Sequence, residues 1–467
     1  MAGHRDRGHS CPLHRASRGP AKPPSHIIYG GNTVKSHKVR QLTAASIAVL
    51  VAGLSLAGCS SGPTSAGSSG ASGNTITLWT HNAGNPAELA ADQKIVTAFN
   101  ASQSKYKVNV QAFPQASYNQ SVVAAAAAGK LPCVLDIDGP TVPDWAWAKY
   151  LAPLDLGSSI ANQLPSTVGK WNNKVYAVGY YDVALAMFAR KSVLKDADIR
   201  IPTVTNPWTG TEFNAALAAL KKTGKWAAPL DLGTSGTGEW WTYAYSPMLQ
   251  SFGGDLINRT DYQSADGALN GPAAVNWATW MRGLVTQGII AQKSGADANA
   301  DLINNKTAIE YSGSWAAAPL SKALGSDLAV IPAVNFGAGP KIGGGSWEWG
   351  MTNSCGNKAA ATAYLKFSLQ PQYQTGVAVA AGTIPADQSP ASLKLDPSYA
   401  PGGTNEIFAQ MSSKFAELRP PTPAYPFIST TFTTAAQNIL AGADPKSTLD
   451  QAVQSINANI KTNNGYK

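Results

Sequence analysis

The chain has 467 residues, 44% of them hydrophobic and only 13% charged, which excludes a highly charged disordered chain and leaves enough sequence for two or three packed domains. Its formal net charge of +9 is concentrated at the start: residues 1–58 hold eight bases against Asp6 alone, and the rest holds 28 bases against 26 acids. A phosphate-binding surface needs clustered bases, so nucleic acid is disfavoured as a partner of the main body.

Residues 1–33 fit no targeting class and read as an upstream extension from a misassigned start, with Val34 compatible with a GTG codon. Residues 34–58 read as an export signal. Lys35, Lys38 and Arg40 precede the apolar run from Ala44 to Leu54, which is too short to span a bilayer. The run ends in Leu56-Ala57-Gly58-Cys59, which resembles a bacterial lipobox, with Cys59 as the lipidated new N-terminus; the competing reading is an ordinary signal with an incidental cysteine. After Cys59 the chain up to residue 73 is nearly all Ser, Gly, Ala and Thr, a flexible tether with a reach of roughly 20 Å.

Beyond the tether, a strand is expected over 75–80 and a helix over 86–99, where Leu89, Ile95, Val96 and Phe99 share a face. A strand over 107–113, an Ala-rich helix over 118–128 and a buried strand over 134–137 follow, the last ending at Asp138-Gly139-Pro140. This alternation begins a doubly wound α/β sheet, and such sheets bind ligands at the carboxyl ends of their strands. Further strands are expected over 175–178 and 184–189, and helices over 212–222, 272–287 and 358–369. With no second linker, the pattern predicts two lobes that exchange chain.

Five of the six histidines lie in the leader, so a serine triad would have to use His81, and a multi-histidine metal site is impossible in the body. Neither a cofactor nor a metal is expected.

The runs Ile76-Thr-Leu-Trp-Thr-His81, Leu135-Asp-Ile-Asp-Gly-Pro140, Lys174-Val-Tyr-Ala-Val178, Gln250-Ser-Phe-Gly-Gly-Asp255 and Thr422-Pro-Ala-Tyr-Pro426 resemble family 1 extracellular solute-binding proteins of ABC importers, the maltose-binding-protein type. The resemblance covers residues 74–467. It implies a type II periplasmic-binding-protein-like fold: two α/β lobes, each a doubly wound sheet, with a sugar cleft between them. Lobe I is expected over 74–185 and 352–395, and lobe II over 186–351 and 396–467. By the same resemblance the partners are a di- or oligosaccharide and ABC permease subunits with a cytoplasmic ATPase. The protein would be a monomer, lipid-anchored to the outer face of the cytoplasmic membrane.

A sugar site needs carboxylates, amides, an Arg fork and exposed aromatic faces. All 13 tryptophans lie in the body. Trp315 is expected to stack on ligand, as the family pattern places a tryptophan there, and Trp240 and Trp347 are set on the ligand side. Trp241 and Trp349 are each expected to point away from their neighbours. Trp277 and Trp280, one helical turn apart, read as core, whereas Trp145 and Trp147 read as packing a lobe surface. Asp138 is either a cleft carboxylate or an Asx cap, and Arg419 is either a cleft fork or a surface ion-pair residue. Asp182 and Glu239 match acidic cleft positions of the family. His81 and Asn82 follow the first strand, with helix capping as the competing role. Tyr181 and Gly345 complete the expected binding set.

Export permits a Cys133–Cys355 disulfide, although sequence leaves two buried thiols equally open. The rival function is a secreted, lipid-anchored glycoside hydrolase, which would need two facing carboxylates such as Asp182 and Glu239.

Overall fold

The computed structural model describes residues 73–345 and 347–467. The expected extension 1–33, signal 34–58, lipidation site Cys59 and the tether through residue 72 lie outside the described residues.

Three parallel strands, β1 (Thr75–Thr80), β2 (Lys107–Ala112) and β3 (Val134–Asp138), are joined by helices Pro86–Ser102 and Gln115–Ala127. The first helix begins where the sequence directs it: the Asn85 side chain accepts from the Glu88 amide, Pro86 presets the first turn, and Ile95, Val96 and Phe99 are buried. Every position of β3 is buried, as a strand covered on both faces requires. The hairpin of β4 (Val168–Trp171) and β5 (Lys174–Gly179) turns through Asn172 and Asn173, both at positive φ (46° and 61°), the residue type that tolerates that region best after glycine.

Past β6 (Tyr181–Asp182), a second sheet is built from β7 (Leu185–Arg190), β8 (Leu230–Asp231), β9 (Ile309–Gly313) and β10 (Leu328–Ile331), in the order β10-β7-β9-β8. The chain then passes β11 (Ile342–Gly343) and returns to the first sheet as β12 (Trp347–Met351). There β12 inserts antiparallel between β3 and β5, giving the order β2-β1-β3-β12-β5-β4. Both sheets are therefore mixed. The boundary expected between 351 and 352 is displaced by this insertion: without β12, the free edges of β3 and β5 would leave a buried row of backbone donors and acceptors unpaired. Finally β13 (Ile384–Pro385) pairs with β6, and β14 (Ala416–Glu417) pairs with β11.

Two bodies of apolar packing correspond to the two sheets. Residues such as Ile76, Leu78, Phe99, Tyr364 and Val377 cover one face of the first sheet, while Tyr118, Ile137 and Trp145 cover the other. A separate core around the second sheet takes in Phe188, Trp208, Trp241, Trp277, Phe432 and Ile456. Val183, between β6 and β7, touches both bodies. Cys133 and Cys355 are bonded, their Cα atoms 4.4 Å apart, and close a loop with a sequence separation of 222.

Among the described residues, no helix is long and apolar enough to cross a membrane.

Candidate functional site

Asp138 is the last residue of β3, where a parallel strand delivers its side chain beyond the sheet. Arg419 follows β14 and reaches it as a two-pronged fork, Nη1 donating to Oδ2 at 3.0 Å and Nη2 to Oδ1 at 2.8 Å. The same Nη1 donates to Oε2 of Glu239 at 2.9 Å. Glu239 caps the helix Trp240–Ser251, which packs in the second core, so a single guanidinium joins elements of both bodies. Tyr425 also donates to Glu239 Oε2, and the Ser429 hydroxyl donates to Oε1 at 2.7 Å.

Arg419 is only 8% exposed. Burial works against its charge, but Asp138, Tyr425 and Glu239 hold it firmly protonated. Asp138 is pushed up to about 6 by burial and by Glu239, with Arg419 opposing. Two carboxylates share one base, so the fork network carries one net negative charge when all three groups are ionised.

On the first sheet, Trp347 lies opposite Asp138 in the β12–β3 register, and the His81 ring stacks on Trp347 at 3.6 Å with planes 6° apart. Asp136 holds His81 Nδ1 at 2.5 Å and accepts from the Thr80 hydroxyl at 3.0 Å. Burial disfavours the imidazolium, but Asp136 outweighs it and His81 is raised above its ordinary value.

The facing aromatic group belongs to the second body. Trp315, Trp240 and Tyr243 have ring centroids 6.4 Å apart in all three pairings. Trp315 is 36% exposed, which is unusual for so large an apolar surface and leaves a face available for stacking. Glycines make this packing possible: a Cβ on Gly236 would fall 2.4 Å from the Trp240 ring. At Gly382, where φ is +68°, a Cβ would crowd the Trp315 backbone at 3.1 Å. The Arg419 guanidinium lies over Tyr243 at 5.2 Å, linking the aromatic group to the fork.

Asp138, Glu239, Trp240, Trp315, Trp347, Arg419 and His81 are thus collected along one line of contacts. Arg419 is a buried fork and not a surface ion-pair residue. Asp182 departs from its expected place as a cleft carboxylate. It is fully buried, and its oxygens accept from the hydroxyls of Ser166 and Ser412 and from the amides of Val183 and Gly345. Four internal donors make it a staple between the crossing segments. That same bond consumes the Gly345 amide, so this group also differs from the expected ligand donor. Tyr181 donates to Glu88, and Asn82 donates to Asp92; both side chains are buried within the first body.

The remaining tryptophans sort by burial. Trp241, Trp277 and Trp349 are core, as is Trp145, which fills the space beside Ile137 and Tyr118 and does not pack a lobe surface. Trp147 is exposed and meets Tyr466 near the C-terminus. Asp136, Tyr243, Tyr425 and Ser429 were missed. Asp136 and Tyr425 lie inside the family-like runs, and Tyr243 stands one helical turn after Glu239, but nothing local marks them as polar partners.

Behind the fork lies a cavity of about 80 Å³ lined by Pro140, Ser166, Gly169, Glu348 and Arg419. A larger surface groove of about 500 Å³, lined by Thr234, Trp241, Gln292 and Gln437, includes none of the fork residues. Among the described residues, no cluster of three or more His, Cys, Asp or Glu could hold a metal ion.

Two packed α/β bodies, three segments passing between them and a polar, aromatic site where they meet define a hinged binding protein. Residues 94–400 match the family of bacterial extracellular solute-binding proteins, and the chain belongs to that family. It is 27% identical over 191 residues to an uncharacterised lipoprotein of Streptomyces antibioticus, a match covering 39% of this chain and 41% of that one. The diacetylchitobiose-binding protein DasA of Streptomyces coelicolor is 24% identical over 68% of this chain and 75% of its own. Among solved structures, the GacH receptor of Streptomyces glaucescens, described unliganded and with acarbose, superposes with a TM-score of 0.69 at 23% identity, covering 85% of this chain and all of that one.

Proposed function

We propose that the protein captures a di- or oligosaccharide between its two bodies and delivers it to an ABC permease driven by a cytoplasmic ATPase. The lobes would be those expected above, with the return crossing moved to about residue 346, and the lipid on Cys59 would hold the protein to the outer face of the cytoplasmic membrane. The observation that carries this reading is the pairing of a part-exposed tryptophan with a carboxylate held by a guanidinium: Trp315 offers the flat face that sugar C–H groups cover, and Glu239, fixed by Arg419, offers an acceptor for hydroxyls. The ligands named for the relatives, diacetylchitobiose and acarbose, support the carbohydrate class.

Binding would shift an existing equilibrium between open and closed forms, with the crossing segments around Asp182 absorbing the rotation. No bond is made or broken. The Asp182–Glu239 pair that a glycoside hydrolase would have used loses Asp182, because four donors hold that carboxylate internally. Titrating the protein with mono-, di- and trisaccharides while following tryptophan fluorescence tests the reading. A saturable change for one sugar, weakened at least tenfold in Trp315→Ala, is expected; silence across the series would reject the carbohydrate class.

A further inference from the structure

The site's charge and its aromatic geometry point in one direction beyond the carbohydrate class. Among the described residues, the fork network sets Asp138 and Glu239 against Arg419 alone. Glu239 is the accessible member, with its side chain 30% exposed. Oε2 already accepts from Arg419 and Tyr425, whereas among the described residues Oε1 accepts from Ser429 alone, and a carboxylate oxygen accepts two hydrogen bonds. Among the described residues one acceptor position therefore remains on Oε1 of this part-exposed carboxylate.

Tyr243 stands one helical turn after Glu239 and belongs to the triangle with Trp240 and Trp315. The three ring centroids form a triangle with 6.4 Å sides, Trp315 standing edge-to-face with Trp240 and tilted to Tyr243; the part-exposed Trp315 ring opens the group to a small cation, which aromatic faces attract. Arg419 already uses the Tyr243 ring in this way at 5.2 Å. An anion here would meet the surplus carboxylate, and a neutral sugar would leave it half used.

We propose that the cleft selects an amine-bearing carbohydrate, with its ammonium group set between Glu239 and the Trp240–Tyr243–Trp315 rings, over the neutral sugar of the same shape, and rejects the uronate. The proposal rests on the carbohydrate reading above. An ammonium would take the free Oε1 position as a charge-assisted hydrogen bond and lie over the ring faces, while a carboxylate in its place would gain neither.

Isothermal titration of the full-length protein with matched disaccharides tests it. The β-1,4-gluco series comprises diglucosamine, its N-acetylated form, cellobiose and diglucuronate, and parallel α-1,4-gluco and galacto series cover other ring shapes. In at least one series the amine form should bind at least tenfold more tightly than the neutral forms, with no detectable uronate binding. That preference should shrink at least threefold in 1 M salt and at least fivefold in Glu239→Gln, which keeps the side chain's shape while removing its charge and one of its two acceptor oxygens. Neutral or uronate forms binding as tightly as the amine would overturn the proposal while leaving the carbohydrate reading intact. So would a preference that survives in Glu239→Gln. If no sugar in any series binds, the carbohydrate reading itself fails.

Discussion

Removing the Arg419 fork should cost far more than deleting a surface ion pair. Arg419→Met keeps most of the side chain's length but strips Asp138 of two hydrogen bonds and Glu239 of one, leaving Asp138 buried at 4% exposure with no cation. Breaking a buried pair from one side costs about 3–5 kcal/mol, because the stranded charge stays desolvated. Asp138 already sits near 6 with the fork in place, and removing a cation raises a carboxyl further. The variant's penalty should therefore be small at pH 5, where Asp138 takes up a proton, and full at pH 8. Adding Asp138→Asn removes the stranded charge, so the double variant should recover about 2 kcal/mol or more relative to the sum of the single costs. Urea unfolding followed by tryptophan fluorescence at pH 5 and pH 8 measures all four proteins. Additive costs, or an Arg419→Met penalty below about 1 kcal/mol at pH 8, would refute the picture of a desolvated fork.

Other outcomes follow from the same physical reasoning. Glu310 on β9 is 1% exposed with no cation beside it among the described residues, and burial pushes it up to about 8. A raised folded value means the native state binds the proton more tightly, so this group erodes stability as pH rises from its ordinary value toward 8. Glu310→Gln should gain roughly 2–4 kcal/mol at pH 8, after discounting for its own buried amide, and little near pH 4.5; an equal effect at both pH values would reject this. Opening the Cys133–Cys355 bond, with its separation of 222 residues, should lower stability by about 5 kcal/mol on the chain-entropy account, read as a fall in the urea midpoint of Cys133→Ala/Cys355→Ala. Cys59→Ala should shift the protein from the membrane to the soluble fraction; unchanged sedimentation with membranes would remove the lipid anchor from the proposal.

The elements with local signals were legible in the sequence. Pro86 and the helical spacing after it marked one helix start, alternation marked β1, and the apolar run before Asp138 marked a buried strand with a polar residue at its carboxyl end; that Asn85, and neither His81 nor Asn82, caps the helix came from the structure. Trp315 was legible through the family resemblance, which places a stacking tryptophan there, together with the polar Ser312-Gly313-Ser314 run ahead of it.

Pairings across the chain were not legible, since hydrogen-bond partners more than a hundred residues apart leave no periodic trace. Sequence placed Asp138, Glu239 and Arg419 as separate candidates; only the meeting of β3, the Trp240 helix and the segment after β14 made them one fork. Asp182 shows the opposite case. The sequence set Asp182 at an acidic cleft position of the family, and the hydroxyls of Ser166 and Ser412, one 16 and the other 230 residues away, make it an internal staple. Local composition therefore determined the secondary structure and the kinds of residue a sugar site requires. Tertiary packing alone determined which carboxylates remain near solvent, because burial and donor count depend on neighbours that the linear chain does not specify.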